Sequence, residues 1–144
     1  MEIILDNSVL SDVFIKSRRR HKEGRRLADH IKKNQIQVTV PMHAIIELKC
    51  AIDNERLSPG RREVSKVFTE ESPLKLKTIS IDQKFLREYI DLSIPYIKGG
   101  DLIYILVAKK HKCPLITEDK TQAKIAKSAG VMVYTIDEYL KVNR

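Results

Sequence analysis

Short runs of apolar residues recur along the chain, and segments with apolar residues at helical spacing lie between them. Continuous or alternating apolar runs are typical of β-strands, whereas a period near 3.6 residues indicates helices. Five runs are predicted as strands: residues 2–5, 36–41, 74–81, 114–117 and 131–136. The intervening and final segments are predicted as helices: residues 8–15, 18–33, 42–57, 58–70, 82–92, 99–112, 120–129 and 137–142.

This alternation of strands and helices predicts an α/β fold, with a central parallel sheet of about five strands covered by helices on both faces. The first and fourth strands are entirely apolar at Ile3–Leu5 and Leu115–Ile116, which is typical of central strands. The third strand alternates, as an edge strand does. The pattern favours the strand order 3-2-1-4-5. The length of 144 residues, without a linker or repeat, predicts one domain over residues 1–144.

The chain has a net charge of +8, because it contains 27 lysines and arginines but only 19 acids. A basic surface indicates a polyanionic partner, although a heat-adapted surface rich in charges is an equal alternative. No run is long enough to span a bilayer, and Met1–Asp6 lacks the basic start of a signal peptide, so we expect a cytoplasmic protein without a membrane segment. Cys50 and Cys113 are expected to be reduced thiols of the core.

Acidic residues recur at the predicted carboxyl edge of the sheet. In an open parallel sheet, ligands bind beyond the carboxyl ends of the strands where the strand order reverses, which here lies between strands 1 and 4. Asp6 follows strand 1 and Asp119 follows strand 4. Glu47 lies in the second turn of the helix after strand 2, and Asp101 opens the helix that leads into strand 4. We therefore expect the four carboxylates to converge at one edge.

Four converging carboxylates repel one another unless a cation binds between them. Oxygen ligands with room for water suit Mg²⁺ or Mn²⁺. A hard cation over a crevice of a basic protein indicates phosphate chemistry, with hydrolysis of a phosphodiester bond as the predicted reaction.

Each of these acids also has a structural interpretation. Asp6, Asp101 and Asp119 lie where helix N-caps are common, and Glu47 could be a half-exposed surface acid. Glu118 is an alternative to Asp119, because side chains alternate along a strand end and only one of the two can face the crevice. Three other acids are interpreted as surface or capping residues: Asp12, Asp82 and Asp137. The histidines show no ligand spacing and are expected to be non-catalytic: His21, His30, His43 and His111.

At these residues the chain resembles PIN-domain ribonucleases, particularly the short stand-alone kind exemplified by VapC toxins. Four stretches carry the resemblance, and together they span the chain: IILDNSVL, PMHAIIEL, GGDLIYILVAKKHKCPLITEDK and AKIAKSAGVMVYTIDEYL. The order and spacing of these stretches are more specific than any one of them alone.

The resemblance implies a three-layer α/β/α fold and an Mg²⁺- or Mn²⁺-dependent endoribonuclease. It maps the family's acidic set onto Asp6, Glu47, Asp101 and Asp119, and it implies that the hydroxyls of Ser8 and Thr117 support the carboxylates or metal-bound water. Where some members carry a further acid, this chain has Lys120 and Thr121, which implies a weak second metal site. The resemblance also implies a small antitoxin as partner and a homodimer.

Other functions fit the residues less well. A haloacid-dehalogenase-like phosphatase needs aspartates two residues apart, but Ser8 stands at the second position. A receiver domain needs a lysine after the fifth strand, and none is present there. Two alternatives stay open: a PIN-domain nuclease of RNA processing or ribosome maturation, and a non-catalytic PIN-like module that binds RNA or acts as a scaffold.

Two surface features complete the predictions. The segment 18–26 is strongly basic and is either a solvated helical face or a surface that holds RNA phosphates through four arginines: Arg18, Arg19, Arg25 and Arg26. The helical segments 42–57 and 58–70 are expected to expose apolar residues that a homodimer would bury: Val64, Val67 and Phe68. Ser58 and Pro59 are predicted to begin the second of these helices.

Overall fold

The computed structural model describes residues 1–54 and 66–143, and these form a sheet with helices packed against it. All strand pairs are parallel, and the strand order is β3-β2-β1-β4-β5, as predicted. The strands are β1 (Glu2–Leu5), β2 (Gln37–Pro41), β3 (Leu76–Ile79), β4 (Leu115–Ile116) and β5 (Val133–Tyr134).

Seven α-helices flank this sheet in the described parts of the chain, which confirms the predicted α/β/α class. They are α1 (Asn7–Phe14), α2 (His21–Lys33), α3 (His43–Asn54), α4 (Gln83–Tyr89), α5 (Gly99–His111), α6 (Lys120–Ser128) and α7 (Ile136–Val142). Helix α5 packs against β1, β2 and β4, whereas α1 contacts α2 and α3, and α2 contacts α7. None of these helices has the length and apolar character needed to cross a membrane.

The core lies on the central strands. Ile3, Ile4 and Leu5 of β1 are fully buried, as are Leu115 and Ile116 of β4. Burying one such side chain contributes about 1.5–3 kcal/mol. The continuous apolar runs of the sequence therefore mark central strands, whereas β3 at one edge is only partly buried.

The register of the central strands sets the position of the crevice. Leu5 of β1 is paired with Ile116 of β4, so the residues that follow them, Asp6 and Thr117, emerge side by side. The backbone N–H of Asp6 donates to the carbonyl of Ile116 at 3.2 Å, which continues the ladder to the edge of the sheet.

Several expectations about individual residues are wrong. Val67 is buried in the core, in a short 3₁₀ turn at Lys66–Phe68, whereas Phe68 is exposed as predicted. Cys113 is buried, but Cys50 is exposed. Asp12 is buried rather than on the surface, because α2 covers it. Residues 58–65 of the predicted helix 58–70 lie outside the described residues, among them Ser58, Pro59 and Val64, and its described part forms the 3₁₀ turn instead of an α-helix.

Candidate active site

Asp6 is the most buried acid of the candidate site, with 4% of its surface exposed. It is the N-cap of α1, and its Oδ1 accepts hydrogen bonds from Val9 N at 3.0 Å and Ser8 Oγ at 2.7 Å. Its Oδ2 accepts a hydrogen bond from Thr117 Oγ1 at 2.5 Å. These bonds occupy three of about four acceptor positions of a carboxylate, so one position on Oδ2 is left for a ligand.

Burial raises the pKa of Asp6 to about 6. The three hydrogen bonds lower this pKa and the charge of Asp119 raises it, but loss of hydration is the largest cause. Asp6 is therefore a carboxylate whose charge is poorly compensated by the protein alone, and a cation beside it would favour its charged form.

Two hydroxyls tie the end of β1 to the end of β4. Ser8 Oγ donates to Asp6 and accepts from the backbone N–H of Glu118 at 3.1 Å. Thr117 Oγ1 likewise donates to Asp6 and accepts from the backbone N–H of Asp119 at 3.0 Å. Both hydroxyls thus hold the loop after β4 against Asp6.

Asp119 is the N-cap of α6, where its Oδ1 accepts from Gln122 N at 2.9 Å. Its Oδ2 has no hydrogen-bond partner among the described residues and is available to a ligand. Gln122 is buried, and its Nε2 donates to the carbonyl of Asp101 at 3.2 Å. Gln122 therefore connects the beginning of α6 to the beginning of α5, so it positions Asp101 relative to Asp119.

Asp101 lies in the first turn of α5, half-buried at the crevice. Its pKa is raised by loss of hydration and by the negative charges of Asp119 and Glu47, and these effects outweigh opposing ones from Lys98 and His43. Asp101 therefore lies close enough to Asp119 and Glu47 for their charges to disfavour its ionisation.

Glu47 on α3 faces the beginning of α5. Its Oε2 accepts a hydrogen bond from the buried Tyr104 hydroxyl at 2.7 Å, and His43 Nε2 lies 3.7 Å from its Oε1. A methyl group at Gly100 would come within 3.0 Å of Glu47 Oε1, so the glycine leaves room for this carboxylate. The His43 ring packs on Tyr104 at 4.9 Å, and its Nε2 also lies 3.0 Å from the Gly100 carbonyl.

Glu118 takes part in contacts on the opposite side of the strand end. Its Oε1 accepts from the backbone N–H of Ile136 at 2.9 Å and lies 3.1 Å from Nη2 of Arg20. Among the described residues, the Asp119 carboxylate accepts a hydrogen bond only from Gln122 N, and Gln122 in turn donates to the carbonyl of Asp101. The geometry therefore favours Asp119 over Glu118 as the acid of the crevice.

The oxygen donors at this edge fit a hard cation. Among the described residues, no three Asp, Glu, His or Cys side chains are close enough together to form one shared metal site. Mg²⁺ commonly takes only one or two carboxylates directly and keeps several waters. The carboxylates at this edge are therefore donors of the chemical type that a hydrated Mg²⁺ binds.

The basic segment is only partly available to a ligand. Arg18 Nε lies 3.3 Å from Asp12 Oδ1, and Arg20 pairs with Glu118 and Asp137. The remaining arginines of the predicted RNA surface are exposed: Arg19, Arg25 and Arg26.

Sequence reasoning missed four residues that contact the site or the loop behind it: Arg20, His43, Tyr104 and Gln122. His43 could have been found, because it stands four residues before Glu47 on a helix, where side chains meet. Tyr104 and Gln122 resemble ordinary core and helix residues, and no local pattern distinguishes them.

Comparison with known families identifies the fold. The model of the PIN domain matches residues 3–128. The chain belongs to the PIN-domain family. PIN domains are generally nucleases, and those nucleases commonly depend on divalent metals. No curated protein matches the sequence significantly.

Three solved structures resemble this PIN domain in fold. A chain of VapBC2 from Rickettsia felis, bound to a DNA fragment from its promoter, has a TM-score of 0.64 at 15% identity and covers 94% of this chain and 98% of its own. A PilT N-terminus domain protein from Sulfolobus solfataricus has a TM-score of 0.57 at 15% identity, covering 99% and 93%. A domain of a protein of unknown function from Methanocaldococcus jannaschii has a TM-score of 0.54 at 21% identity, covering 93% and 89%.

The raised pKa of Asp6 predicts a pH-dependent stability difference. A carboxyl with a pKa of 3.8 when unfolded and about 6 when folded destabilises the protein by about 3 kcal/mol above pH 6 and not at all below pH 3.8. In EDTA, Asp6→Asn should therefore gain stability relative to wild type as the pH rises from 4 to 7, measured by urea unfolding. A difference that stays constant with pH would contradict the buried charge, and Asp82→Asn, which changes an exposed helix cap, is the control.

Proposed function

We propose that this PIN domain is a metal-dependent endoribonuclease that acts as the toxin of a toxin–antitoxin pair. The observation that carries the proposal is the convergence of acids from separate parts of the chain: Asp6 and Asp119 cap the helices that begin where β1 and β4 end, and Gln122 connects the beginning of α6 to Asp101. Such an arrangement is unfavourable without a cation.

The side chains have distinct tasks in this reaction. Asp101 and Asp119 would hold Mg²⁺ or Mn²⁺, because their carboxylates are the least engaged by the protein. Asp6 is fixed by Ser8, Val9 and Thr117 and would orient the water that attacks the phosphate.

Glu47 would contribute negative charge for the ion or for its bound water, and the hydrogen bond from Tyr104 sets its orientation. When bound, the ion supplies positive charge that favours deprotonation of the attacking water and stabilises the charge that develops on the phosphate.

RNA is the proposed substrate because the chain carries a net charge of +8, which attracts a polyanion to an otherwise acidic crevice. The antitoxin partner is proposed from the fold likeness to a chain of the VapBC2 complex. Phosphate contacts by Arg19, Arg25 and Arg26 are part of the same proposal, whereas Arg18 is already paired with Asp12.

The decisive experiment is cleavage of single-stranded RNA by the purified protein with Mg²⁺ or Mn²⁺, beside identical reactions in EDTA and with single-stranded DNA of the same sequence. Cleavage of the RNA alone, and only with metal, is expected. Cleavage in EDTA would exclude the metal role, and equal cleavage of DNA would exclude RNA specificity. Growth arrest on expression, relieved by a small neighbouring gene product, would separate a toxin from a processing nuclease.

We also predict a homodimer. Apolar side chains on α3 and in the turn at Lys66–Phe68 are exposed, Ile46 at 64% and Phe68 at 60%, and pairing around a twofold axis would bury them. Light scattering should give twice the monomer mass for wild type and the monomer mass for Ile46→Glu. Met132→Glu, at a similarly exposed apolar residue near β5, is the matched control and should stay dimeric. A monomeric wild type at working concentration would contradict the prediction.

A further inference from the structure

A basic groove lies beside the candidate active site, between α6 and the edge strand β5. Three lysines at positions 120, 124 and 127 project from one face of α6, because residues four and three apart are neighbours on a helix. Tyr134 and Thr135 form the opposite wall. The groove has a volume of about 370 Å³.

The groove and the candidate active site share Thr117. This residue lines the groove and donates the hydrogen bond to Asp6, and Lys120 of the groove directly follows Asp119. From Lys120 to Lys127 the helix rises by about 10 Å. A chain whose phosphate lies at the carboxylates would therefore continue along the three lysines.

The charges of the groove are largely uncompensated. Lys120 and Lys124 form no ion pair within residues 1–54 and 66–143. Glu138 is the one acid lining this groove among the described residues, and it is engaged by Thr135 in a capping box, where Thr135 N donates to Glu138 Oε2 at 2.8 Å. Lysine ammonium groups act as mobile point charges that suit phosphates.

The remaining lining suits the bases of a single strand. Val133 and Ala123 give the groove an apolar surface, and Tyr134 adds an aromatic ring. Proteins that hold single-stranded nucleic acids combine a positive groove for the backbone with apolar and aromatic surfaces for the bases. A duplex offers its phosphates but not its bases to such a surface.

We propose that this groove holds the phosphates of single-stranded RNA on one side of the cleaved bond. The choice of RNA as the occupant rests on the proposed nuclease function. Lys120 and Lys124 make the principal contacts, and Lys127 extends them. The groove therefore contributes to affinity for the substrate and not to the chemical step.

The test is binding of a fluorescent single-stranded RNA by anisotropy in EDTA, over a series of salt concentrations. EDTA prevents cleavage, and repulsion by the carboxylates is the same in every variant. Each lost phosphate contact lowers the slope of log K against log salt by roughly 0.7. The double variant Lys120→Ala with Lys124→Ala should lower the magnitude of this slope by about 1.4. When salt falls from about 1 M to about 0.1 M, the gain in its affinity for RNA should therefore be about 25-fold smaller than that of wild type.

Lys75→Ala with Lys77→Ala is the matched control, because it removes the same charge from exposed positions at β3, which lies at the opposite edge of the sheet from β5. Its slope should equal that of wild type. Equal slopes for both double variants and wild type would contradict the proposal that this groove binds RNA. A groove variant that loses affinity for polyglutamate but keeps its RNA slope would also overturn it, and would assign the surface to an acidic protein segment.

Cleavage separates this inference from the function on which it rests. The groove variant should raise KM for RNA and leave kcat near wild type, whereas a fall in kcat alone would contradict a binding role. If wild-type protein fails to cleave RNA but the slopes differ as expected, the nuclease proposal fails and the RNA groove stands. If wild-type protein cleaves RNA and the slopes are equal, the proposed role of the groove is wrong and the nuclease proposal stands.

Discussion

Replacing Asp101 by asparagine is expected to abolish metal-dependent cleavage of RNA while the protein stays folded. The new side chain would keep the size of the original but lose the charge that would hold the ion, and the backbone carbonyl at this position would still accept from Gln122. Loss of a metal ligand removes several kcal/mol of transition-state stabilisation, so we expect a fall in kcat of at least about 10³-fold. Single-turnover cleavage at saturating RNA measures it.

Stability provides the first control for this variant. Loss of hydration and then the negative charges of Asp119 and Glu47 raise the pKa of Asp101, so removing its charge relieves both effects, and the free energy of unfolding in EDTA should hold or rise. Mg²⁺ should stabilise wild type increasingly as its concentration rises above Kd and leave Asp101→Asn unaffected. A variant that unfolds in EDTA would mean that Asp101 supports the fold.

Glu118 and Asp119 offer an internal comparison. Asp119→Asn should also abolish cleavage, as should Asp6→Asn. Glu118→Gln should retain most activity, because its Oε1 is directed to Ile136 N and Arg20. If Glu118→Gln is inactive and Asp119→Asn is active, the assignment of the two acids is reversed.

The second large effect is expected on stability, from Gly24→Ala. Gly24 lies in α2 where this helix crosses α1, and an added Cβ would come within 2.5 Å of the carbonyl carbon and oxygen of Asp12. These are backbone atoms, so the two helices must move apart. Overpacking of this kind costs about 1–3 kcal/mol, and we expect a fall in Tm of about 5–10 °C.

Gly99→Ala is the matched control. No atom lies within 4 Å of a Cβ added at Gly99, which also lies in a helix. Its stability should lie within about 0.5 kcal/mol of wild type. Scanning calorimetry of both variants decides the matter, and equal Tm values for Gly24→Ala and wild type would show that α1 and α2 are not held together at this contact.

Strand order and the edge that carries the acids could be predicted from the sequence. Continuous apolar runs distinguish the central strands β1 and β4 from the alternating edge strand β3, and residues after a strand must emerge at its carboxyl end. Asp6 and Asp119 follow β1 and β4, and the structure places both there. These inferences depend only on period and polarity within a few residues.

The choice between Glu118 and Asp119 could not be made with local rules. Both are acids at the end of the same strand, and Glu118 is turned away by Arg20 and the N–H of Ile136, partners that are distant in sequence. Asp12 likewise has the pattern of a surface acid, and it is buried because α2 covers it, while Arg18 and Arg20 just before that helix pair with it.

Gly24 is the clearest example of a residue whose role only the tertiary structure reveals. In the sequence it interrupts a basic segment and suggests nothing beyond flexibility, whereas the structure makes it the contact where α2 meets the backbone of α1. Tyr104 has the pattern of a core residue, yet its hydroxyl fixes Glu47, 57 positions earlier in the chain. The sequence by itself determined the five strands, their order and the edge where acids collect, because these follow from periodicity and helix capping. Only the tertiary structure decided which side chains meet, because contacts between distant residues depend on how the helices pack against the sheet.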